Sequence, residues 1–448
     1  MDWNELVQEK GKNNEQGEIV VLDLWKLGLE TLPVDIGQLD ALTELDISNN
    51  HLWELPVEIG QLSALTTLDV IGNLLQELPT EISQLKVLTT LDVSSNQLRE
   101  LPAQIGQLGA LTDLHVRFSR LETLPIEIGQ LGALTDLNVG SNRLQELPTE
   151  IGQLSTLTKL NVFNNQLGEL PTEIGQLSAL TTLNIRSNRL QELPVEIGQL
   201  TALATLNVKD NQLEELPAEI GQLSALTTLY VLGNQLKTIP REIGQLSALT
   251  ELHGSNNQLQ ALPTEIGQLT NLTILYLQNN RLQTLPPEIG QLGALSTLYV
   301  SNNLLQFLPP EIGQLSALTT LSVIGNLLRE LPTEIGQLTN LTILNLGGNQ
   351  LQELPVEIGQ LSALIYLDVS RNELRTLPPI IPGCHIYGME KNLVESSHER
   401  WKQRAKTVLS YAICWTKGRK KGERETLARM DSYLARRMIR LLFAGYGE

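Results

Sequence analysis

The 448-residue sequence predicts an α/β solenoid, with a parallel sheet along a concave face, short helical turns on the convex face and helical caps at both ends. Three observations carry that expectation. An apolar pattern returns every 23 residues without insertion or deletion. A second segment, Leu-Pro-x-Glu-Ile-Gly-Gln-Leu, follows it in nearly every period. The chain is 41% hydrophobic but only 4% aromatic, so the core it builds is aliphatic.

The inner half of the repeat is seen in Leu42-Thr-Glu-Leu45-Asp-Ile47-Ser-Asn-Asn50-His-Leu52, which fits L-x-x-L-x-L-x-x-N-x-L. Leu45 and Ile47 alternate with polar residues, the period of a short strand with one buried face. The asparagine recurs from Asn50 to Asn372 at 23-residue intervals, with Ser119 standing in once. It is placed to turn the chain out of the sheet, its amide bonding the backbone of adjacent units. In the outer half, proline suits the start of a short helical turn and glutamate favours its positive end. No unit can bury its apolar face alone, so stability must come from contacts between neighbours.

The period and the Leu-Pro-x-Glu-Ile-Gly-Gln-Leu segment resemble the leucine-rich repeats of intracellular Ras-group proteins and of the bacterial Roco family. The opening Val20-Val21-Leu22-Asp23-Leu24, followed by Leu29-Glu-Thr-Leu-Pro33, also resembles Roco amino ends. The resemblance covers roughly residues 1–380. It implies a leucine-rich-repeat horseshoe and a part in small-GTPase-type signalling. Roco proteins carry a GTPase domain after the repeats, which this sequence lacks. It has no G-x-x-x-x-G-K-[ST] phosphate loop; Gly11-Lys12 is followed by Asn13-Asn14.

Three segments are expected. Residues 1–18 form an amino-terminal helical cap, with Trp3, Leu6 and Val7 turned to the first strand. Residues 19–394 form the solenoid, sixteen regular units and a degenerate seventeenth carrying Cys384, Tyr387, Met389, Asn392 and Val394. Residues 395–448 form a basic helical hairpin cap that buries Trp401 and Trp415. The alternative for this hairpin is an anchor for an acidic partner or a membrane surface.

The formal charge is −18, yet the segment from Ile380 onward carries +7, leaving −25 for the rest. An acidic solenoid is no general nucleic-acid binder, because releasing counterions needs a basic surface. The two cysteines, Cys384 and Cys414, are too few for the cysteine-rich caps of secreted repeat proteins. The start resembles no signal peptide and no apolar run is long enough to span a bilayer. A cytoplasmic location is expected.

Nothing in the sequence assembles a nucleophile with a base, and the five histidines have no ligand spacing. The reading is therefore a non-enzymatic scaffold without cofactor or metal, binding a protein partner on its concave face. Specificity must lie where the repeats differ. The exposed strand column runs Asp23, Asp46, Asp69, Asp92, His115, Asn138, Asn161, Asn184, Asn207, Tyr230, His253, Tyr276, Tyr299, Ser322, Asn345, Asp368. Its first zone is aspartate, either screened by solvent or a site for a basic partner segment. Its second borders Arg117, Phe118, Arg120, Arg143, Phe163, Arg186, Arg189 and Lys209, either a charge-balanced surface or a binding edge. The third is Tyr230, His253, Tyr276 and Tyr299, flanked by Leu232 and Ile274, with Ile324 and Ile343 beyond. Stacking that steadies the sheet would explain it, but a contiguous aromatic patch favours contact with a partner. Gly254, at an inward position otherwise held by Val, Ile or Leu, marks either a pocket or a tolerated defect.

Overall fold

The structure, a computed structural model, describes residues 2–376, 381, 383–388 and 392. The hairpin expected over 395–448, with Trp401 and Trp415, lies outside the described residues, as do Met389 and Val394. Among the described residues no helix is long and apolar enough to cross a membrane. The chain divides into two compact units, Met1–Leu282 and Gln283–Glu448.

The first unit opens with α1 (Trp3–Lys10), which buries Val7 and leaves Trp3 and Leu6 half-buried. The helix stops at Lys10, short of the helical cap expected over residues 1–18. Gly11–Asn13 instead form β1, antiparallel to β2 (Ile19–Asp23). A backbone strand thus covers the edge that the sequence assigned to helix. Parallel three-residue strands then follow at 23-residue intervals, from Glu44–Asp46 to Ile274–Tyr276. Each is in register with the last, so Leu22, Leu45 and Leu68 stack in one column and Asp23, Asp46 and Asp69 in another. The leucine column is fully buried.

The second unit repeats this pattern, with strands from Thr297–Tyr299 to Tyr366–Asp368 and a last strand at His385–Tyr387. There Ile386 pairs with Leu367 and Tyr387 with Asp368. Ile386, not Tyr387, therefore takes the inward position, and Tyr387 is exposed. The sequence reading was one residue out of register at Tyr387 because the turn that follows holds one residue more than its predecessors. Asn392 still closes the unit, donating to the Val369 and Gly388 carbonyls. Cys384 is half-buried, and burial pushes its thiol up to about 11, so it is held as the unreactive thiol.

Two side-chain ladders lock the stacking. In a regular unit such as that of Asn73, Oδ1 accepts the Leu52 N–H at 3.0 Å, while Nδ2 donates to Ile47 O of the preceding unit and Val70 O of its own. One buried amide thus satisfies backbone groups of two units. Threonine hydroxyls form the second ladder, Thr66 donating to Thr43 O and Thr89 to Thr66 O. The outer segments are five-residue 3₁₀ turns, with proline one residue earlier than a first helical position, at the N-cap. The glycine of Ile-Gly-Gln is explained by crowding. A Cβ at Gly175 would stand 2.6 Å from the Glu196 carbonyl oxygen of the next turn.

Candidate functional site

The outward column has a structural use that its sequence did not reveal. At most of the positions where it holds Asp or Asn, though not at Asn161 or Asn345, the side-chain oxygen accepts the backbone N–H two residues on. Asp46 takes Ser48, Asp69 takes Ile71, Asp92 takes Ser94, Asn138 takes Gly140 and Asn207 takes Lys209. These Asx turns start the departure from the sheet. Asp46, Asp69 and Asp92 thus have a turn role, one that Asn138 and Asn207 fill without the charge. It carries an electrostatic cost at Asp69, whose carboxyl rises to about 6. Burial is the main cause, with Asp46 and Asp92 adding to it against the Ile71 hydrogen bond.

An aromatic or histidine side chain has no oxygen placed for that turn, so His115, Tyr230, His253 and Tyr276 do not make it; beyond His115 the Arg117 N–H goes to Ser94 Oγ instead. Tyr230, His253 and Tyr276 lie side by side on successive strands. The Tyr230 and His253 ring centroids are 4.4 Å apart, and Tyr276 meets His253 edge-on at 5.0 Å. Offset and edge contacts of this kind satisfy the ring quadrupoles. His253 Nε2 is 3.0 Å from Glu251 Oε2, two residues earlier on the same strand. All three residues are half-buried. Burial, then the Glu251 charge, push the Tyr230 phenol up, so it keeps its proton. Tyr299 belongs to the second unit, where it opposes Ser322.

The second zone is less uniform. Phe163 lies over Gly140, where a Cβ would clash with its ring. Arg186, exposed, lies with its guanidinium 5.0 Å from the Phe163 centroid, a cation–π stack. Lys209 is 3.6 Å from Asp210 of its own turn. Arg189 and Arg120 are exposed, and Phe118 is 56% exposed. Arg117 is half-buried, with Nε buried and without a hydrogen-bond partner. Arg186 and Phe163 are therefore one element, whereas Arg117, Phe118 and Arg120 lie on earlier repeats of the same unit.

Of a second outward column the sequence reading named only Ile274 and Ile343. Residues two before each column member share its face, which places Asp113, Asp136, Lys159 and Glu251 on the concave side. His115 Nδ1 is 3.3 Å from Asp92 Oδ2, and its Nε2 is 3.6 Å from Asp136 Oδ1. Asp136 and then Asp92 raise the His115 imidazole to about 9. Burial works against ionising Asp92, but the bonds from His115 and Ser94 outweigh it and hold that carboxyl low. Gly254 is no pocket: the space for its Cβ is met at 3.1 Å by Leu277 Cδ2, a longer side chain than the valine usual at that inward position.

Comparison with known proteins fixes the family. The leucine-rich repeat region family matches residues 68–162 and 172–258, and the leucine rich repeat family matches three overlapping spans between 247 and 351. An LRR protein of Leptospira interrogans is 41% identical, with a TM-score of 0.76, covering 86% of this chain and 98% of its own. The chain belongs to the leucine-rich-repeat family. More distant leucine-rich-repeat neighbours include the plant peptide hormone receptor RGFR1 in complex with RGF2, 26% identical with a TM-score of 0.54 over 85% and 82% of the two chains. The Arabidopsis receptor kinase HAESA, in complex with the peptide hormone IDA and the co-receptor SERK1, is 28% identical with a TM-score of 0.59 over 80% and 66%. No curated protein matches the sequence. Leucine-rich repeats are generally interaction modules rather than enzymes, and nothing among the described residues assigns a catalytic group.

Proposed function

We propose that this leucine-rich-repeat protein is a non-enzymatic scaffold that binds a protein partner on the concave face of its first unit. The observation that carries the proposal is the break in the Asx column. Most column positions hold Asp or Asn and use it as a turn acceptor, and the side-by-side Tyr230, His253 and Tyr276 give that acceptor up. The patch offers half-buried aromatic rings at its centre, and Arg186 on Phe163, Arg189 and Lys209 add cations beside it. Aromatic and arginine anchors contribute most per residue at protein interfaces. The fitting partner is an extended segment with apolar side chains and carboxylates. The complexes of RGFR1 with RGF2 and of HAESA with the peptide hormone IDA support a peptide ligand and nothing finer.

The reading also places the protein in the cytoplasm, on its sparse cysteines, and near small-GTPase-type signalling, on the Ras-group and Roco resemblance of its repeats. The test is affinity for a partner captured by the full chain. Changing Tyr230 and Tyr276 together to alanine should weaken binding about 30-fold, on the order of 2 kcal/mol. Changing Glu173 and Glu196 on the convex row should leave it unaltered. The opposite pattern would put the binding face on the wrong side. Loss of binding only when residues 395–448 are removed, with the tail alone binding anionic vesicles, would favour the anchor instead. Capture of a small GTPase, dependent on the two tyrosines, would support the signalling assignment, and cell fractionation tests the location.

A further inference from the structure

The outward column departs from Asp and Asn at His115 before it reaches the tyrosines, and His115 does not stand alone. Asp113 precedes it by two residues on the same strand and shares its face. The next strand sets Asp136 opposite Asp113, and the preceding one sets Asp92 opposite His115. A ring nitrogen of His115 and one carboxylate oxygen each from Asp113 and Asp136 lie within 4.8 Å of one another. Asp136 Oδ1 is buried and makes no hydrogen bond of ordinary length; His115 Nε2 stands 3.6 Å from it.

We propose that Asp113, His115 and Asp136 bind a divalent transition-metal ion of the zinc class on the concave face, with Asp92 orienting the imidazole. Three features single out this set from an ordinary acidic surface. The histidine occupies a position where the fold uses Asp or Asn for its own turn. Asp136 Oδ1 faces His115 Nε2 at 3.6 Å, too long for a hydrogen bond, and a metal ion that replaced the Nε2 proton would hold both atoms. The Asp92 Oδ2 contact at 3.3 Å on Nδ1 is the carboxylate–histidine arrangement that leaves Nε2 to face a metal. Ligand atoms on one zinc ion stand about 3.3 Å apart, so the three side chains close in by small rotamer changes. Lys159, whose Nζ is 3.7 Å from Asp136 Oδ2, is exposed and can swing aside. A nitrogen with two carboxylates selects zinc, cobalt or nickel over magnesium and calcium, which prefer oxygen alone. Water fills the outward positions.

The experiment is calorimetric titration of the chelator-stripped full chain with zinc, and in parallel with magnesium. Binding of zinc in one equivalent, at least tenfold tighter than magnesium, is expected. His115→Ala should weaken zinc at least tenfold, Asp136→Asn likewise, and Asp92→Asn about tenfold while keeping its turn bond to Ser94. His253→Ala should leave it unchanged, which separates this site from the tyrosine patch. Circular dichroism of each variant reports that it is folded. Undiminished zinc binding in His115→Ala, or none in the folded parent chain, would overturn the proposal and leave the cluster as an internal ion pair.

Discussion

At the scale of single residues, the array is informative where it departs from its own rule. Ser119 takes the place of an asparagine, and its hydroxyl is buried with no hydrogen-bond partner. A hydroxyl is too short to reach the backbone groups of two units that an amide satisfies elsewhere. Ser119→Asn is expected to stabilise the protein by about 1–2 kcal/mol, the cost usually attached to such a buried group. A rise in the thermal midpoint checks it; a fall would mean that Arg117, whose Nε is also orphaned nearby in sequence, occupies the space. Asp69 makes a second case. Its carboxyl keeps its proton to about pH 6 in the folded chain, above its ordinary value of 3.8. Below about pH 4 both states are protonated and the group costs nothing. Between the two values the unfolded chain ionises first, so the folded state loses ground as pH rises, and the penalty persists above pH 6. Asp69→Asn keeps the acceptor for Ile71 but not the charge. Its melting temperature should match the parent near pH 4 and exceed it above pH 6. A difference independent of pH would refute this account.

At the scale of elements, strand and turn positions were legible because hydrophobic period and proline are local signals. Both the 23-residue strand spacing and the short outer turns were readable from Leu, Ile and Pro alone. The start of the turn was not: an aspartate in a strand reads as exposed charge until its Oδ1 is seen on the Ile71 N–H. Gly254 was not legible either, because its compensation comes from a different unit. Leu277 reaches into the volume that a side chain at 254 would fill. Gly254→Val alone should therefore overpack and destabilise, and Leu277→Val alone should open a cavity. The double variant restores the common pair and should recover most of both losses. A double-mutant cycle with no coupling would contradict the contact.

At the scale of the whole molecule, each unit is stabilised by its neighbours, so damage should stay local. Asn188 receives the Leu167 N–H and donates to Val162 O and Ile185 O. Asn188→Ala leaves these buried groups unpaired, at a cost of about 2 kcal/mol or more. Hydrogen exchange should quicken around Leu167 and Ile185 and stay slow at the strands near Asn50. Uniform quickening would show that the array opens as one body. The sequence alone determined the repeat, its leucine core and its asparagine ladder, because a unit whose neighbours are near-copies meets the same environment at every period. Tertiary structure alone decided which outward side chains belong to the scaffold and which are spare. That question depends on what lies 23 residues away: Asp136 beside Asp113, Tyr276 beside His253, Leu277 beside Gly254. Residues at that separation become neighbours only when the strands pair in register, and there a charge becomes a turn, an ion pair or a candidate ligand.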